Sequence, residues 1–301
     1  MLNIYKNKKS VFYVDSPFQL LQFYEYKTLF DVQNYHLIVR LNGSVENDRQ
    51  LTELIKLFEI DSVSTFDMSN RFKVCVGLAL LFFPFLNASH VFIGDANSIV
   101  FKAYRYVVPT AKVVLFDDGV ATLFDEHENS IYTRFSLFSS KIKNGIKNDF
   151  ISLREFLNVD AKKDVNIVVG GKLVEEGICS KEAYFGLLEK MLDNLRCSGG
   201  DEVVYIAHRG EASENLKEIG ERFSITIKRL NYPIELVGAE LDINPVTIST
   251  VVSTAVFSMS KIYEGTKVFL FRPDESDLME RKAVIVKLFE YFEDYAVGDI
   301  I

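Results

Sequence analysis

Short apolar runs alternate with longer segments of helical spacing through most of the sequence, and this alternation constrains the fold more than any other feature. In the first half, strands are predicted at residues 11–15, 36–40, 62–66, 90–94 and 112–116. Helices are predicted between them at residues 17–30, 47–58, about 71 onward and 98–106. Strands that alternate with helices form parallel sheets covered on both faces. The first half is therefore predicted to be a Rossmann-like α/β domain.

The second half repeats this alternation after a polar interval. Its predicted strands are residues 165–169, 202–206, 224–230, 234–237 and 267–271, and its predicted helices are residues 180–197, 211–223 and 277–295, with an apolar Ser- and Thr-rich segment at 246–260. The interval 126–163 is polar and has no clear period, so a long loop with short helices is predicted there. The expected fold is α/β, with two Rossmann-like domains, 1–158 and 159–301, that face a cleft. The last helix is expected to pack back on the first domain.

Composition narrows the class of protein. A chain of 301 residues suits two domains, and its net charge of -8 argues against broad nucleic-acid binding. The three cysteines match no zinc pattern and are expected to be free thiols in a reducing compartment. The longest apolar run, residues 74–86, is too short to span a bilayer and fits a buried helix. We therefore expect a cytoplasmic protein. A peripheral contact with the inner face of the plasma membrane is the alternative role for that run, and the sequence leaves the oligomeric state open.

The end of the last strand of the first half carries two carboxylates and a glycine, Asp117, Asp118 and Gly119. Ligands bind outside the carboxyl ends of strands in folds of this kind. Adjacent carboxylates repel, so one can be basic enough to take a proton from a bound hydroxyl group, and the glycine lets the chain turn. Taken alone, the same three residues also fit an ordinary Asp-Gly turn. Their spacing does not indicate a metal site.

The second half has polar residues at corresponding positions. His208 and Arg209 follow the strand at 202–206, where they can bind a phosphate and the histidine can donate a proton. Ser253 and Thr254 precede a helix start, where hydroxyls and backbone N–H groups form an anion site. The structural alternatives are a surface His-Arg pair and an ordinary helix cap.

The first strand-to-helix turn, with Ser16 and Gln19, also lies at a strand end, and simple capping is its structural alternative. The sequence has no Gly-x-Gly-x-x-Gly, His-Glu-x-x-His or Gly-x-Ser-x-Gly motif. Dinucleotide oxidoreductases, zinc proteases and serine hydrolases are therefore disfavoured.

Taken in order, these motifs resemble those of bacterial sialyltransferases of the lipooligosaccharide and capsular polysialyltransferase kinds. The resemblance rests on residues 16–21, 93–95, 115–119, 205–211, 233–235 and 253–254, and more loosely on Arg40 with Asn47 and Gln50. One departure is that Arg209 follows His208 where the family has proline. The resemblance implies the fold called GT-B, a CMP-activated nonulosonic acid as donor, and inversion at the anomeric carbon without a metal or other cofactor.

The resemblance also implies a role for each site residue. Asp117 would deprotonate the acceptor hydroxyl and His208 would stabilise or protonate the leaving phosphate. The donor would be bound or shaped by Asp118, Gly119, Arg209, Glu235, Ser253, Thr254, Ser16 and Gln19. The predicted reaction moves sialic acid, or a related nonulosonic acid, to a glycan or glycolipid acceptor of a surface polysaccharide or lipooligosaccharide. The alternatives are a transferase for another nucleotide sugar and a non-catalytic, nucleotide-binding capsule-assembly protein. Acceptor and linkage are not readable from the sequence.

Overall fold

The computed structural model describes residues 9–67, 88–95, 98, 101–102, 111–119, 122, 132–158, 162–197, 202–295 and 298–301. The chain divides into two compact units, Met1–Phe156 and Leu157–Ile301. The helix predicted from about residue 71, the apolar run 74–86 and most of the helix predicted at 98–106 lie outside the described residues. In the described part of the chain, no helix has the length and apolar character needed to cross a membrane.

The first unit contains a parallel sheet of seven strands. These are β1 (Ser10–Val14), β2 (Tyr35–Leu41), β3 (Val63–Asp67), β4 (His90–Ile93), β5 (Lys112–Phe116), β6 (Thr133–Ser136) and β7 (Gly145–Lys147). Their spatial order is β3-β2-β1-β4-β5-β6-β7, and every neighbouring pair is parallel. The order reverses between β1 and β4, and a crevice at such a switch point is where ligands bind in open α/β sheets. A ligand is therefore expected at the carboxyl ends of β1 and β4 and of the adjacent β5.

Three helices of this part of the chain are α1 (Pro17–Leu29), α2 (Val45–Leu57) and α3 (Ile151–Leu157). The predicted start of α1 is confirmed, because the Ser16 side chain accepts a hydrogen bond from the Gln19 N–H group and Pro17 occupies the first turn. Inside the unit, the rings of Phe12 on β1 and Phe92 on β4 stack with their centroids 4.1 Å apart. This aromatic packing fixes the central strands and hence the positions of their ends.

The prediction of a long loop over residues 126–163 is wrong for the described part of that interval. The structure has strands β6 and β7 there, followed by α3. Strands of four and three residues are too short to display a period of two, and β6 carries a buried arginine, Arg134, beside the buried Phe135. Arg134 donates a hydrogen bond to the Phe116 carbonyl at 2.8 Å, a contact between strands that local sequence does not reveal.

The second unit contains a parallel sheet of six strands. These are β8 (Lys163–Val169), β9 (Val203–Ile206), β10 (Thr226–Lys228), β11 (Ile243–Thr250), β12 (Lys267–Leu270) and β13 (Asp299–Ile300), in the spatial order β10-β9-β8-β11-β12-β13. Its α-helices in the described ranges are α4 (Lys181–Cys197), α5 (Ser213–Phe223), α6 (Val237–Leu241), α7 (Ala255–Ile262) and α8 (Lys282–Tyr295). Two parallel sheets with intervening helices confirm the predicted α/β class.

One predicted strand of the second unit is wrong. Residues 234–237 form a 3-10 helix, Ile234–Leu236, that leads into α6. Pro233 precedes this helix and has no N–H group for a strand ladder, whereas the neighbouring β11 takes the central position in the sheet. The closing helix also begins at Lys282, later than the predicted residue 277.

Candidate functional site

The carboxyl ends of three adjacent strands in the first unit bring Asp15, Asp95 and Asp118 close together. Asp15 follows β1, Asp95 follows β4 after one glycine, and Asp118 follows β5 after Asp117. The Asp118 side chain is exposed, yet desolvation by the surrounding protein raises the pKa of its carboxyl group, and the charge of Asp95 adds to this rise. Burial likewise raises the pKa of Asp15, with the charge of Asp118 as the next cause. The cluster therefore contains carboxylates that hold protons more strongly than isolated ones do.

Gln19 lies within this acidic cluster. Its Oε1 atom accepts a hydrogen bond from the Asp15 N–H group at 3.1 Å, and its side chain also hydrogen-bonds to the carboxylate of Asp118. Gly94 leaves the space that the Gln19 amide fills, since a Cβ atom at residue 94 would be 2.0 Å from Gln19 Nε2. The structure thus brings together Gln19 and Asp118, two of the residues predicted from the sequence.

Two basic residues near this cluster were not among the predicted site residues. Arg40 at the end of β2 pairs with Asp15, with 3.4 Å between Nη1 and Oδ2. The positive charge of the buried Arg134 lowers the pKa values of Asp117 and Asp118, which opposes the effect of burial. Arg40 belongs to the looser part of the family resemblance but had no predicted role, whereas Arg134 lies in the segment predicted as a loop.

Asp117 points away from this cluster and into the protein. Its side chain has no exposed surface, and Oδ2 accepts a hydrogen bond from the Leu137 N–H group at 2.8 Å. Its backbone N–H and carbonyl groups bond to the side-chain amide of Gln22 at 2.9 and 2.8 Å. Burial raises the pKa of Asp117 to about 7, although hydrogen bonds from Ser136 and Leu137 oppose the rise. In this geometry the Asp117 carboxyl has no exposed surface for contact with an acceptor hydroxyl, and its role as the base stays a prediction.

Asp118 presents the other carboxylate of the pair to solvent. Successive side chains of an extended chain point in opposite directions, so the buried Asp117 leaves Asp118 on the open side. Its N–H group donates to Thr122 Oγ1 at 2.8 Å. Gly119 then turns the chain with φ of 57°, a left-handed conformation that glycine adopts without strain. Of the two adjacent carboxylates, Asp118 is the one placed to take a proton from a bound hydroxyl.

In the second unit, His208 and Arg209 form the turn after β9. The Gly210 N–H group donates to His208 Nδ1 at 3.0 Å, so the neutral imidazole carries its proton on Nε2. Burial lowers the pKa of His208 to about 4, and the charges of Arg209 and Lys172 lower it further. The imidazole is therefore neutral at pH 7 in the ligand-free protein. It can donate a hydrogen bond through Nε2, but the predicted transfer of its own proton requires a bound anion to raise this pKa.

Ser253 and Thr254 lead into α7. Thr254 occupies the N-cap position, and its side chain makes no capping hydrogen bond. Ser253 is half-buried and Thr254 is exposed, with backbone N–H groups of the first helical turn beside them. The Thr254 hydroxyl therefore does not cap the helix. An anion site at the start of this helix stays a prediction.

Glu235 lies on the 3-10 helix next to α7. It is buried, and one carboxylate oxygen accepts a hydrogen bond from Ser258 Oγ on α7 at 2.7 Å. Tyr263 Oη donates to the Glu235 carbonyl at 2.9 Å and fixes its backbone. Burial raises the pKa of Glu235, whereas the charge of Arg209 opposes the rise. The second unit therefore brings Arg209 near Glu235 and places Ser253 and Thr254 directly before the helix that holds Ser258.

In the described ranges, no group of three or more His, Cys, Asp and Glu side chains is arranged to hold a metal ion. Of the remaining predicted residues, Ser16 uses its side-chain oxygen to cap α1.

No protein-family model matches the chain, and no curated protein matches it by sequence. Several solved structures have a similar fold. A putative UDP-N-acetylglucosamine 2-epimerase from Listeria monocytogenes aligns over 95% of this chain and 87% of its own, with a TM-score of 0.59 and 11% identity. The GT-B domain of a sialyltransferase from Photobacterium damselae aligns over 97% of this chain and 99% of its own, with a TM-score of 0.51 and 10% identity.

A 2,6-sialyltransferase from a Photobacterium species, solved with CMP and lactose, is also similar. It aligns over 98% of this chain and 78% of its own, with a TM-score of 0.55 and 10% identity. Identities this low show likeness of fold and nothing finer. The two units, each with a parallel sheet and intervening helices, therefore have the α/β architecture of the GT-B class.

Proposed function

We propose that this protein is a metal-independent, inverting glycosyltransferase that moves sialic acid, or a related nonulosonic acid, from a CMP-sugar to a glycan or glycolipid acceptor. The observation that carries the proposal is the turn after β9, where His208 presents an Nε2–H donor beside the cationic Arg209. Such a pair suits the phosphate of a nucleotide donor. The ordered motifs of the sequence support the sialyl class, and a similar fold is found in a 2,6-sialyltransferase solved with CMP and lactose.

In this proposal the second unit binds the nucleotide. His208 and Arg209 contact the phosphate, and the hydroxyls of Ser253 and Thr254 add donors at the start of α7. Glu235 accepts a hydrogen bond from the nucleoside. The negative phosphate raises the pKa of the His208 imidazole, because an opposite charge favours its protonated form. The imidazole then neutralises the charge that develops on the departing CMP.

The first unit supplies the base. The acceptor oxygen attacks the anomeric carbon, the bond to CMP breaks with its electron pair, and a carboxylate takes the acceptor proton. We assign that carboxylate to Asp118, because it is open to solvent, has a raised pKa and contacts Gln19. Asp117 fixes the end of β5 through its hydrogen bonds with Gln22 and Leu137. Gly119 provides the turn that exposes Asp118.

Transfer from CMP-sialic acid to galactose-terminated and sialylated acceptors, measured in EDTA, tests the proposal. The wild type is expected to form product, and His208→Ala is expected to lower kcat about 100-fold. Asp118→Asn is expected to lower kcat by a similar factor, whereas Asp117→Asn keeps more activity than Asp118→Asn. Lack of transfer to any acceptor of a broad panel, from a protein that binds CMP, would leave the non-catalytic nucleotide-binding alternative. The reverse order for the two aspartate variants would return the base role to Asp117.

A second candidate is transfer or conversion of another nucleotide sugar. The fold likeness to a putative UDP-N-acetylglucosamine 2-epimerase favours this candidate, at a TM-score of 0.59. Thermal shifts with CMP, UDP, GDP and ADP separate the two, because a ligand stabilises the fold according to its concentration relative to Kd. A shift with CMP alone supports the sialyl proposal, and a shift with UDP alone overturns it.

A further inference from the structure

Glu211 closes the turn after β9 through two hydrogen bonds to His208, one from its backbone and one to its side chain. Its backbone N–H group donates to the His208 carbonyl at 3.0 Å. Its side-chain Oε2 atom accepts a hydrogen bond from the His208 N–H group at 2.6 Å. Inside this 208–211 turn, the Gly210 N–H group donates to His208 Nδ1 at 3.0 Å. The carboxylate that fixes the backbone of the turn thereby also fixes which imidazole nitrogen faces outward.

Two buried tyrosines hold the other oxygen of this carboxylate. Tyr205 Oη donates to Glu211 Oε1 at 2.5 Å, and Tyr184 Oη lies 2.8 Å from Tyr205 Oη. The Gly171 N–H group donates to Tyr184 Oη at 3.3 Å. Tyr205 gives its only proton to Glu211, so Tyr184 donates to Tyr205 and each hydrogen bond in this series points towards the carboxylate. The series of hydrogen bonds links the end of β8 to the 208–211 turn.

Gly170, next to Gly171 at the end of β8, packs directly against the same carboxylate. A Cβ atom at residue 170 would lie 2.4 Å from both Glu211 Oε2 and Tyr205 Oη. Burial in this crowded site raises the pKa of Glu211 to about 7. A buried acid of this kind adds little net stability, because its desolvation offsets its hydrogen bonds. Its main physical effect is to specify the conformation of the turn.

We propose that Glu211 is a positioning residue that orients His208 and selects its Nε2–H tautomer for contact with the donor phosphate. The phosphate contact rests on the function proposed above, whereas the selection of the tautomer is a property of the turn itself. Glu211 does not contact the substrate in this proposal. It acts through the His208 backbone, and the two tyrosines keep its carboxylate in place.

Glu211→Gln tests the proposal with almost no change of volume. The glutamine amide has one oxygen and one NH2 group, so it cannot accept hydrogen bonds from both Tyr205 Oη and the His208 N–H group. In the ¹⁵N spectrum of histidine-labelled protein, the wild-type His208 ring is expected to show a protonated Nε2. The variant is expected to show a mixture of tautomers, and its Kd for CMP is expected to rise about 10-fold, as for one lost hydrogen bond. The chain has 4 histidines, so His208→Ala assigns the signal.

Glu25→Gln is the matched control. Glu25 in the first unit is also a buried carboxylate that accepts two backbone hydrogen bonds, from Ser152 at 3.1 Å and Leu153 at 2.9 Å. Its replacement is expected to lower thermal stability but to leave the His208 tautomer and the affinity for CMP unchanged. A second variant, Gly170→Ala, keeps Glu211 and displaces its carboxylate. It is expected to reproduce the mixture of tautomers.

The outcomes separate this proposal from the proposed function. If CMP binds the wild type and both Glu211→Gln and Gly170→Ala, when folded, keep its Kd within twofold and the wild-type tautomer, the positioning role is overturned and the function stands. If CMP does not bind the wild type, the sialyl function falls. The tautomer of His208 in the two variants then decides the positioning role alone.

Discussion

The buried carboxyl group of Asp117 is expected to make the protein less stable as pH rises from 4 to 7. In the folded protein its pKa is raised from 3.8 to about 7, mainly by burial. Between these two pH values the unfolded chain loses the proton and the folded chain keeps it. The unfolded state therefore binds fewer protons, and the free energy of unfolding falls with pH. The favourable contribution is fully present below pH 4 and is lost as pH rises through 7.

The size of this effect follows from the difference in pKa. A rise from 3.8 to about 7 corresponds to about 4 kcal/mol over the whole range. Between pH 5 and pH 8 the effect acts over about two pH units, because it ends near the folded pKa of about 7, and this corresponds to about 3 kcal/mol. Asp117→Asn removes the titration and keeps an acceptor for the Leu137 N–H group. The free energy of unfolding of the variant minus that of the wild type is thus expected to be about 3 kcal/mol larger at pH 8 than at pH 5.

Urea unfolding of both proteins, followed by circular dichroism at pH 5, 6, 7 and 8, measures this difference. Comparing the variant with the wild type cancels the contribution of other groups that titrate in this range. Asp118→Asn is the comparison. The pKa of Asp118 is also raised, but its side chain is exposed and solvent screens its interactions, so a smaller change with pH than for Asp117→Asn is expected. Parallel curves for the wild type and Asp117→Asn would falsify the burial of Asp117 in solution. The assignment of the base to Asp118 would fall with it.

Three other substitutions test neighbouring features. Gly94→Ala is expected to displace the Gln19 amide, because the new Cβ atom would be 2.0 Å from Nε2, and to lower transferase activity at least about 10-fold. Steady-state kinetics on folded protein measure this effect, and an unchanged kcat/KM contradicts it. Ser16→Ala removes the cap of α1 and is expected to cost about 1 kcal/mol of stability in urea unfolding, where an unchanged midpoint would refute the role. Ser258→Ala removes the hydrogen bond to the Glu235 carboxylate and is expected to change the Kd for CMP severalfold. Calorimetry measures this Kd, and an equal value in the two proteins means that Glu235 does not contact the nucleoside.

Local sequence patterns determined the class of the fold and the places to look for a site. Apolar strand cores and helix caps act between residues that are close in the chain, so the strand β1 and the start of α1 at Ser16 and Pro17 were readable. The rule that sites lie at the carboxyl ends of parallel strands then selected Asp117, Asp118, His208 and their neighbours. None of this required knowledge of which strands are adjacent.

The tertiary structure decided what depends on contacts between distant residues. Strands β6 and β7 gain their stability from their neighbours in the sheet, so their short sequences carried no usable pattern.

The same limit applies to the adjacent carboxylates. The sequence placed Asp117 and Asp118 at a strand end, but their opposite orientations follow from the contacts of Asp117 with Gln22 and Leu137. The role of Glu211 likewise depends on Tyr184, which is 21 residues before Tyr205 in the chain and 2.8 Å from it in space. Sequence alone therefore placed these residues at strand ends, and packing decided which of the two adjacent carboxylates is open to solvent.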